Sequence, residues 1–211
     1  TRVGVVPGEG GASAAQLLAQ PRKALITWHA GSQDTLRSKS YDDARTSAEF
    51  HVYIGAYACN GVKRTAHAVL PIGLAPEIDG TYVNVDGTVQ TVSAGAKLPG
   101  EARSGWRVLR ALGAALGYSN FDFTEIGDVR ARIGDRISSP VAAVEGVSSP
   151  KMPTGLVRIA TVPIYKADAV LRRSPALQST PLASKPQVTL NPADVLAAGL
   201  GAGGQAKVSD G

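Results

Sequence analysis

Short apolar runs recur along the first part of the chain, each closed by turn residues. Residues 2–6 form the first, followed by the turn Pro7, Gly8, Glu9, Gly10, Gly11. A helical stretch at residues 13–20 comes next, with Ser13 placed to cap it. Residues 24–29, 50–56 and 66–74 are further runs of strand length, the last containing Pro71. Unbroken apolar runs belong to strands buried on both faces, as in parallel sheets. Residues 24–28, 50–56 and 66–70 are therefore expected as adjacent, mostly parallel strands of one sheet. Residues 41–47 are short and polar, and residues 60–65 are expected as a polar turn.

The texture then changes. Two Asp-Gly pairs, Asp79-Gly80 and Asp86-Gly87, bracket an alternating Thr-Tyr-Val-Asn-Val, which predicts a hairpin-like excursion. Pro99-Gly100-Glu101 opens the strongest helical pattern, expected from Glu101, with Trp106, Leu109, Leu112 and Leu116 on one stripe and Gly117 as its stop. On that pattern Leu109 and Leu112 are buried while Arg103 and Arg107 face solvent. Residues 124–137 continue in a weaker helical register.

From Ser138 the chain reads differently. Pro140, Pro150, Pro153 and Gly155 mark a linker, with one strand at residues 157–162. Residues 174–185 form a second loose, Ser/Pro-rich stretch. Residues 188–190 are a strand candidate, residues 191–194 start a short helix ending at Gly199, and residues 205–208 begin another strand. The expected fold is α/β: a mostly parallel, Rossmann-like sheet with flanking helices over residues 1–137. A linker follows at 138–187, and a β-barrel-like unit begins at 188–211.

Composition narrows the function. Hydrophobic residues make up 44% of the 211 and charged residues 18%, which gives enough apolar side chains for a sizeable core. The net charge is +5, but the basic residues are interleaved with acids, so nucleic acid is not expected as a partner. No run approaches the ~18 apolar residues of a membrane span, so membrane association is expected only through partners. The chain opens on Thr1 and is expected to be a fragment. Its one cysteine, Cys59, cannot hold an iron-sulfur cluster, which takes about four thiolates. A small buried or half-buried thiol in a reducing compartment is the expectation for it.

Four stretches carry a resemblance. They are residues 5–11 (Val-Val-Pro-Gly-Glu-Gly-Gly), residues 66–71 (Ala-His-Ala-Val-Leu-Pro), residues 79–90, and residues 99–112 with Pro-Gly-Glu-Ala-Arg, Trp106 and Leu109-Arg110-Ala111-Leu112. Their order and spacing are similar to those in the C-terminal part of the large iron-sulfur subunit of bacterial NADH:quinone oxidoreductase (respiratory complex I). That subunit lies within the molybdopterin oxidoreductase superfamily. Residues 162–165, 172–173 and 175–178 look like its later region. Residues 191–208 resemble the first strands of the superfamily's double-psi, dinucleotide-binding barrel.

The resemblance implies a cofactor-free structural piece of the peripheral arm, held by other arm subunits on the cytoplasmic side of the bacterial inner membrane. It also implies iron-sulfur clusters in an N-terminal part not present in these residues. The rival expectation is a molybdopterin-dinucleotide-binding oxidoreductase domain related to formate dehydrogenase. One departure separates the two. Cofactor-using relatives place Asn-x-Glu-x-Arg where this chain has Asn84, Asp86 and Thr88, so a bidentate donor is lost at position 88.

No catalytic, cofactor-binding or metal-ligating residue is assigned. The turn at Gly8, Gly10 and Gly11 lacks G-x-G-x-x-G spacing and has Glu9 inside it. The loop His29, Ala30, Gly31, Ser32 follows a parallel strand, where α/β folds place ligands, and is expected as a retained, empty cleft. His67 is expected to satisfy a local backbone group. His29 and His51 have no ligand-spaced cysteine or carboxylate. Trp106 is expected in the core, Glu77 and Asp79 in a solvated turn, and neither Ser13 nor Ser104 has a hydrolase context.

Overall fold

A computed structural model describes residues 11–31, 33–35, 39–84, 86–134, 155, 157, 159, 162–183, 185, 187–201 and 203–207. The expected first strand (residues 2–6), its turn as far as Gly10, Ser32, residues 135–137 and the linker residues 138–154 lie outside these. The chain packs as two compact units, residues 1–150 and 151–211.

The first unit is built on a parallel three-stranded sheet in the order β1 (Ala24–Trp28), β2 (Phe50–Gly55), β3 (Ala68–Pro71). The register pairs Ala24 with Phe50 and Val52 with Ala68. All three strands fall where the apolar runs put them. Helix α1 (Ala14–Leu18) precedes β1 and is closed by Ser13, whose hydroxyl accepts from the Gln16 amide while the Gln16 side chain accepts from the Ser13 amide. The polar residues before β2 are helix α2 (Lys39–Ser47).

Between β2 and β3 the expected turn is instead helix α3 (Asn60–Thr65). Its sequence has little helical pattern. Val62, wholly buried, and Thr65, bonded back to the Gly61 carbonyl, seat one helical turn against the sheet.

Strand residues alternate between the two faces of the sheet. One face presents Val52 and Ile54 with Ile72, and Ala68, Leu70, Val108 and Leu112 pack around them. Ile54 is fully buried, worth about 1.5–3 kcal/mol relative to exposure. The other face carries Thr27, His51 and Tyr53 and is covered by Tyr41, Ala44 and Arg45 of α2 and Val62 of α3.

A hairpin, β4 (Gly80–Val83) with β5 (Val89–Val92), follows as predicted, antiparallel and separate from the parallel sheet. Helix α4 (Gly105–Ala115) starts four residues later than expected. Arg103 is recruited to the sheet edge opposite Ile72: its amide donates to the Pro71 carbonyl at 3.2 Å and Gly73 donates to its carbonyl at 3.0 Å. Backbone pairing wins over helix propensity there. Gly117 ends α4 at φ +76°, a left-handed conformation suited to glycine.

The buried stripe of α4 is also rotated from expectation. Gly105 and Gly113 are buried, and Val108 and Leu112 meet the core, while Leu109 is 44% and Leu116 66% exposed. The glycines let α4 come close to Trp28 and Phe121, which turns Leu109 outward. Arg103 and Arg107 are exposed, as expected. Helix α5 (Ile126–Ile133) follows α4. Trp106 is half-buried, with the Arg107 guanidinium over its ring at 4.7 Å and Phe123 alongside at 6.0 Å.

In the second unit none of the expected strands is seen among the described residues, and residues 158, 160 and 161 of the first expected strand lie outside them. Val157, Ile159 and Val162 are exposed and unpaired in any ladder, and residues 188–190 and 205–207 are likewise outside strands. Their β propensity finds no ladder partner among the described residues, and a strand without one is not stable. The barrel-like start is therefore not seen, and Val208 lies outside the described residues. What forms instead is α6 (Ile164–Ala167), a 3₁₀ turn at Leu171–Arg173 and α7 (Pro175–Gln178), tied together by Gln178 Nε2 donating to the Tyr165 and Leu171 carbonyls at 2.9 and 2.8 Å. Helix α8 (Pro192–Ala197) is capped by Asn191 and is followed by Gly199 at φ +65°, as read from the sequence.

Candidate functional site

Parallel α/β sheets place ligands outside the carboxyl ends of their strands. Here that mouth is formed by the loop after β1 and the loop after β2. The ladder runs one residue past β1, with the His29 amide donating to the Ile54 carbonyl at 2.8 Å. His29 then takes φ +52°, left-handed for a residue with a Cβ, and redirects the chain. Gly31 is fixed by Asp34, whose Oδ2 accepts from the Gly31 amide at 2.8 Å. A Cβ on Gly31 would lie 3.1 Å from that oxygen and 3.9 Å from Cys59 Sγ, so the two loops meet here.

Two tyrosines hold the loops from beneath. The Tyr41 hydroxyl donates to the Ala30 carbonyl, and the Tyr53 hydroxyl donates to the Tyr57 carbonyl at 2.7 Å. Tyr41 is 3% and Tyr53 2% exposed. Burial pushes the Tyr41 pKa up, so the phenol stays protonated and donating. Gly55 makes room for the second latch, since a Cβ there would fall 2.5 Å from the Tyr53 hydroxyl. Burial lowers the His29 pKa, against an opposing pull from Asp34. Cys59 is a half-buried free thiol preceding α3, as expected.

Beneath the mouth runs a buried polar chain that sequence reasoning missed. Thr27 Oγ1 lies 2.9 Å from His51 Nε2, and Thr65 Oγ1 lies 3.5 Å from His51 Nδ1 and accepts from Arg45 Nη1 at 3.1 Å. Arg45 is buried against Asp42, with Nη2 to Oδ1 at 2.8 Å. The signals available were weak: a histidine between apolar strand residues, and an arginine in a polar helix. His67 does what was expected of it, its Nδ1 accepting from the His51 amide at 2.9 Å. A cleft of about 300 Å³ lined by Arg45, Thr46, Arg64, Thr65, Ala66 and His67 opens at the other, amino end of β3.

The hairpin turn spends its polar groups on itself. Asn84 Oδ1 and Asp86 Oδ1 both accept from the Thr88 amide at 2.8 Å. Bonds from Thr88 hold the exposed Asp86 carboxyl below its usual range, so it remains an anion. Asp79 accepts from the Ala94 amide at 3.0 Å and Glu77 from the Leu74 amide at 2.8 Å, so each closes a turn rather than pairing as an acid-base couple. No group of histidines, cysteines or carboxylates among the described residues is arranged to hold a metal ion.

A family model for molybdopterin oxidoreductases matches residues 2–115, which covers the sheet, the hairpin and α4. The chain belongs to the molybdopterin oxidoreductase family. It is 31% identical over 130 residues to the 78 kDa subunit of mitochondrial NADH-ubiquinone oxidoreductase from Neurospora crassa, 62% of this chain and 16% of that one. It is 33% identical over 103 residues to the mitochondrial NADH dehydrogenase [ubiquinone] iron-sulfur protein 1 of Solanum tuberosum, 49% and 13% of the two chains. The alpha subunit of an F420-dependent formate dehydrogenase from Methanocaldococcus jannaschii is 30% identical over 92 residues, 43% and 14%. The chain thus spans only about a sixth or less of these relatives' lengths.

A molybdopterin dinucleotide would bring a pyrophosphate, which needs inward-facing N–H groups or arginine. At the mouth the Gly31 amide is taken by Asp34, and the Asp34 and Thr35 amides turn back to the Gly31 carbonyl at 2.9 and 3.3 Å. At the hairpin the anionic Asp86 occupies the turn. At these two turns the named amides are already engaged within the loops themselves.

Proposed function

We propose that this molybdopterin oxidoreductase domain is a cofactor-free scaffold, a piece of the large iron-sulfur subunit of a bacterial NADH:quinone oxidoreductase. In this reading it stiffens the peripheral arm on the cytoplasmic side of the inner membrane and contacts other arm subunits. Electrons pass through clusters elsewhere in the subunit. No helix among the described residues is long and apolar enough to cross a membrane, in keeping with attachment through partners. The observation that carries the reading is Thr88. Where cofactor-using relatives are expected to present arginine, its amide is clamped by Asn84 and Asp86 in a closed, anionic turn.

The similarity to a formate dehydrogenase subunit sustains one rival, a pterin-dinucleotide-binding oxidoreductase domain. Substitutions at the mouth distinguish the two in the intact complex. His29→Ala and Cys59→Ser are expected to leave NADH-dependent quinone reduction within about twofold of wild type. A loss of two orders of magnitude or more with the complex still assembled, roughly 2.7 kcal/mol or more, would assign these residues to chemistry and overturn the scaffold reading.

A further inference from the structure

The last turns of α2 and α3 are joined where Arg45 Nη1 donates to Thr65 Oγ1 at 3.1 Å. Beside that bond, at the amino end of β3, lies the cleft of about 300 Å³ walled by Arg45, Thr46, Arg64, Thr65, Ala66 and His67. Its volume falls at the small end of ligand pockets, which run from about 300 to 1,000 Å³. Its wall carries two arginines and a histidine and no acidic side chain. We propose that this cleft binds the phosphate group of a small molecule, with Arg64 and His67 as its donors and Arg45 as a fixed, buried charge.

Counting donors selects those two. The Thr46 hydroxyl donates to the Asp42 carbonyl at 2.8 Å, and the Thr65 hydroxyl donates to the Gly61 carbonyl at 3.2 Å. The Ala66 amide is taken by the Val62 carbonyl and the His67 amide by the His51 carbonyl, each at 2.8 Å. His67 is oriented by its own bond. Its Nδ1 accepts from the His51 amide at 2.9 Å, so the neutral ring carries its proton on Nε2. The ring also stacks on Phe50 at 5.3 Å, which fixes its plane. Neither that Nε2 nor the Arg64 guanidinium has a hydrogen-bond or ion-pair partner among the described residues, and both side chains are exposed. A planar guanidinium fork beside a ring N–H suits the oxygens of a phosphate.

The wall behind the donors is rigid. Arg45 is 6% exposed, and Gly61 leaves room for it, since a Cβ there would stand 3.1 Å from Arg45 Nη2. Arg45 Nε and Nη2 hold Asp42 Oδ1 at 2.9 and 2.8 Å, so that carboxylate offsets Arg45 and leaves the charge of Arg64 in excess. Asp43 is engaged by Lys39 at 2.6 Å, and Lys63 adds a second exposed cation to the last turn of α3. The carbonyl ends of the two helices oppose an anion with about half a charge each. Two full cationic charges outweigh them. A phosphate, near −2 in charge, gains more from this excess than a singly charged carboxylate does. The site stands whether or not the chain serves in an NADH:quinone oxidoreductase.

The test is a titration of the full chain with sodium phosphate, followed by amide chemical shifts at constant pH and ionic strength, with sodium acetate as the planar comparison. Saturating shifts at residues 64–67 are expected with phosphate, and acetate should bind at least about tenfold more weakly. Glycerol phosphate in a third arm separates the sources: tighter binding than free phosphate assigns an ester, and equal or weaker binding assigns the free ion. Arg64→Gln should weaken phosphate binding by about tenfold to a hundredfold, the value of one charge-assisted bond. Arg107→Gln removes the same charge from an exposed position on α4 and should leave binding within about twofold. Shifts that grow without saturating, acetate binding as tightly as phosphate, full binding in Arg64→Gln, or an equal loss in Arg107→Gln would overturn the site. Both substitutions alter exposed side chains, so the fold is expected to hold.

Discussion

Gly113 of α4 and Phe121 pack so closely that a Cβ on Gly113 would lie 2.3 Å from the Phe121 ring. The absence of a side chain at Gly113 brings Phe121 against the helix, and Phe121 in turn stacks near Phe123 at 5.9 Å. Gly113→Ala would gain about 0.5–1 kcal/mol of helix propensity but incur about 1–3 kcal/mol of overpacking. Net destabilisation of about 1 kcal/mol in urea unfolding is expected, relieved by pairing it with Phe121→Leu. Stabilisation by the alanine would mean that the ring is free to move away.

Leu112 and Leu109 should behave unequally. Leu112 packs against the Val52–Ile54–Ile72 cluster, whereas Leu109 is 44% exposed. Leu112→Ala is expected to cost about 2 kcal/mol or more, and Leu109→Ala less than about 0.5 kcal/mol. Equal costs in chemical denaturation would restore the stripe read from the sequence.

Arg130 ties α5 to the hairpin, with Nε donating to Thr81 Oγ1 at 3.1 Å and Nη2 to the Gly80 carbonyl at 3.2 Å. Arg130→Ala should cost about 1 kcal/mol. It should also speed amide exchange in β4 while leaving β2 protected. Arg130→Lys should not rescue it, because a single ammonium cannot span both acceptors. Uniform loss of protection across β2 and β4 would show that the hairpin and the sheet open together.

Those contrasts show what was legible in the residues. The strands at 24–28, 50–55 and 68–71 were readable as apolar runs of strand length, although only β2, the central one, is buried along most of its length, while β1 and β3 keep exposed positions such as Ile26 and Val69. Ser13, Asn191 and Gly117 were readable because caps act locally. The failures came where a distant partner decides. Arg103 left the helix to pair with Pro71 and Gly73, and the glycines of α4 rotated its buried face away from Leu109. Residues 188–190 have strand composition but no ladder among the described residues. At the site, the loop after β1 was marked by its position following a parallel strand. Tyr41, Arg45 and His51 were not, since nothing local distinguishes a buried polar contact from core filling.

The most direct test of a scaffold role is to look for the cofactor that the family would otherwise hold. The chain should be produced in a host that makes molybdopterin dinucleotide, purified under reducing conditions, and examined by intact native mass spectrometry with elemental analysis for molybdenum and tungsten. The expected result is the mass of the 211-residue chain alone, without stoichiometric metal. A stoichiometric pterin dinucleotide, with or without its metal, would contradict the scaffold role and make the mouth above β1 and β2 a working site.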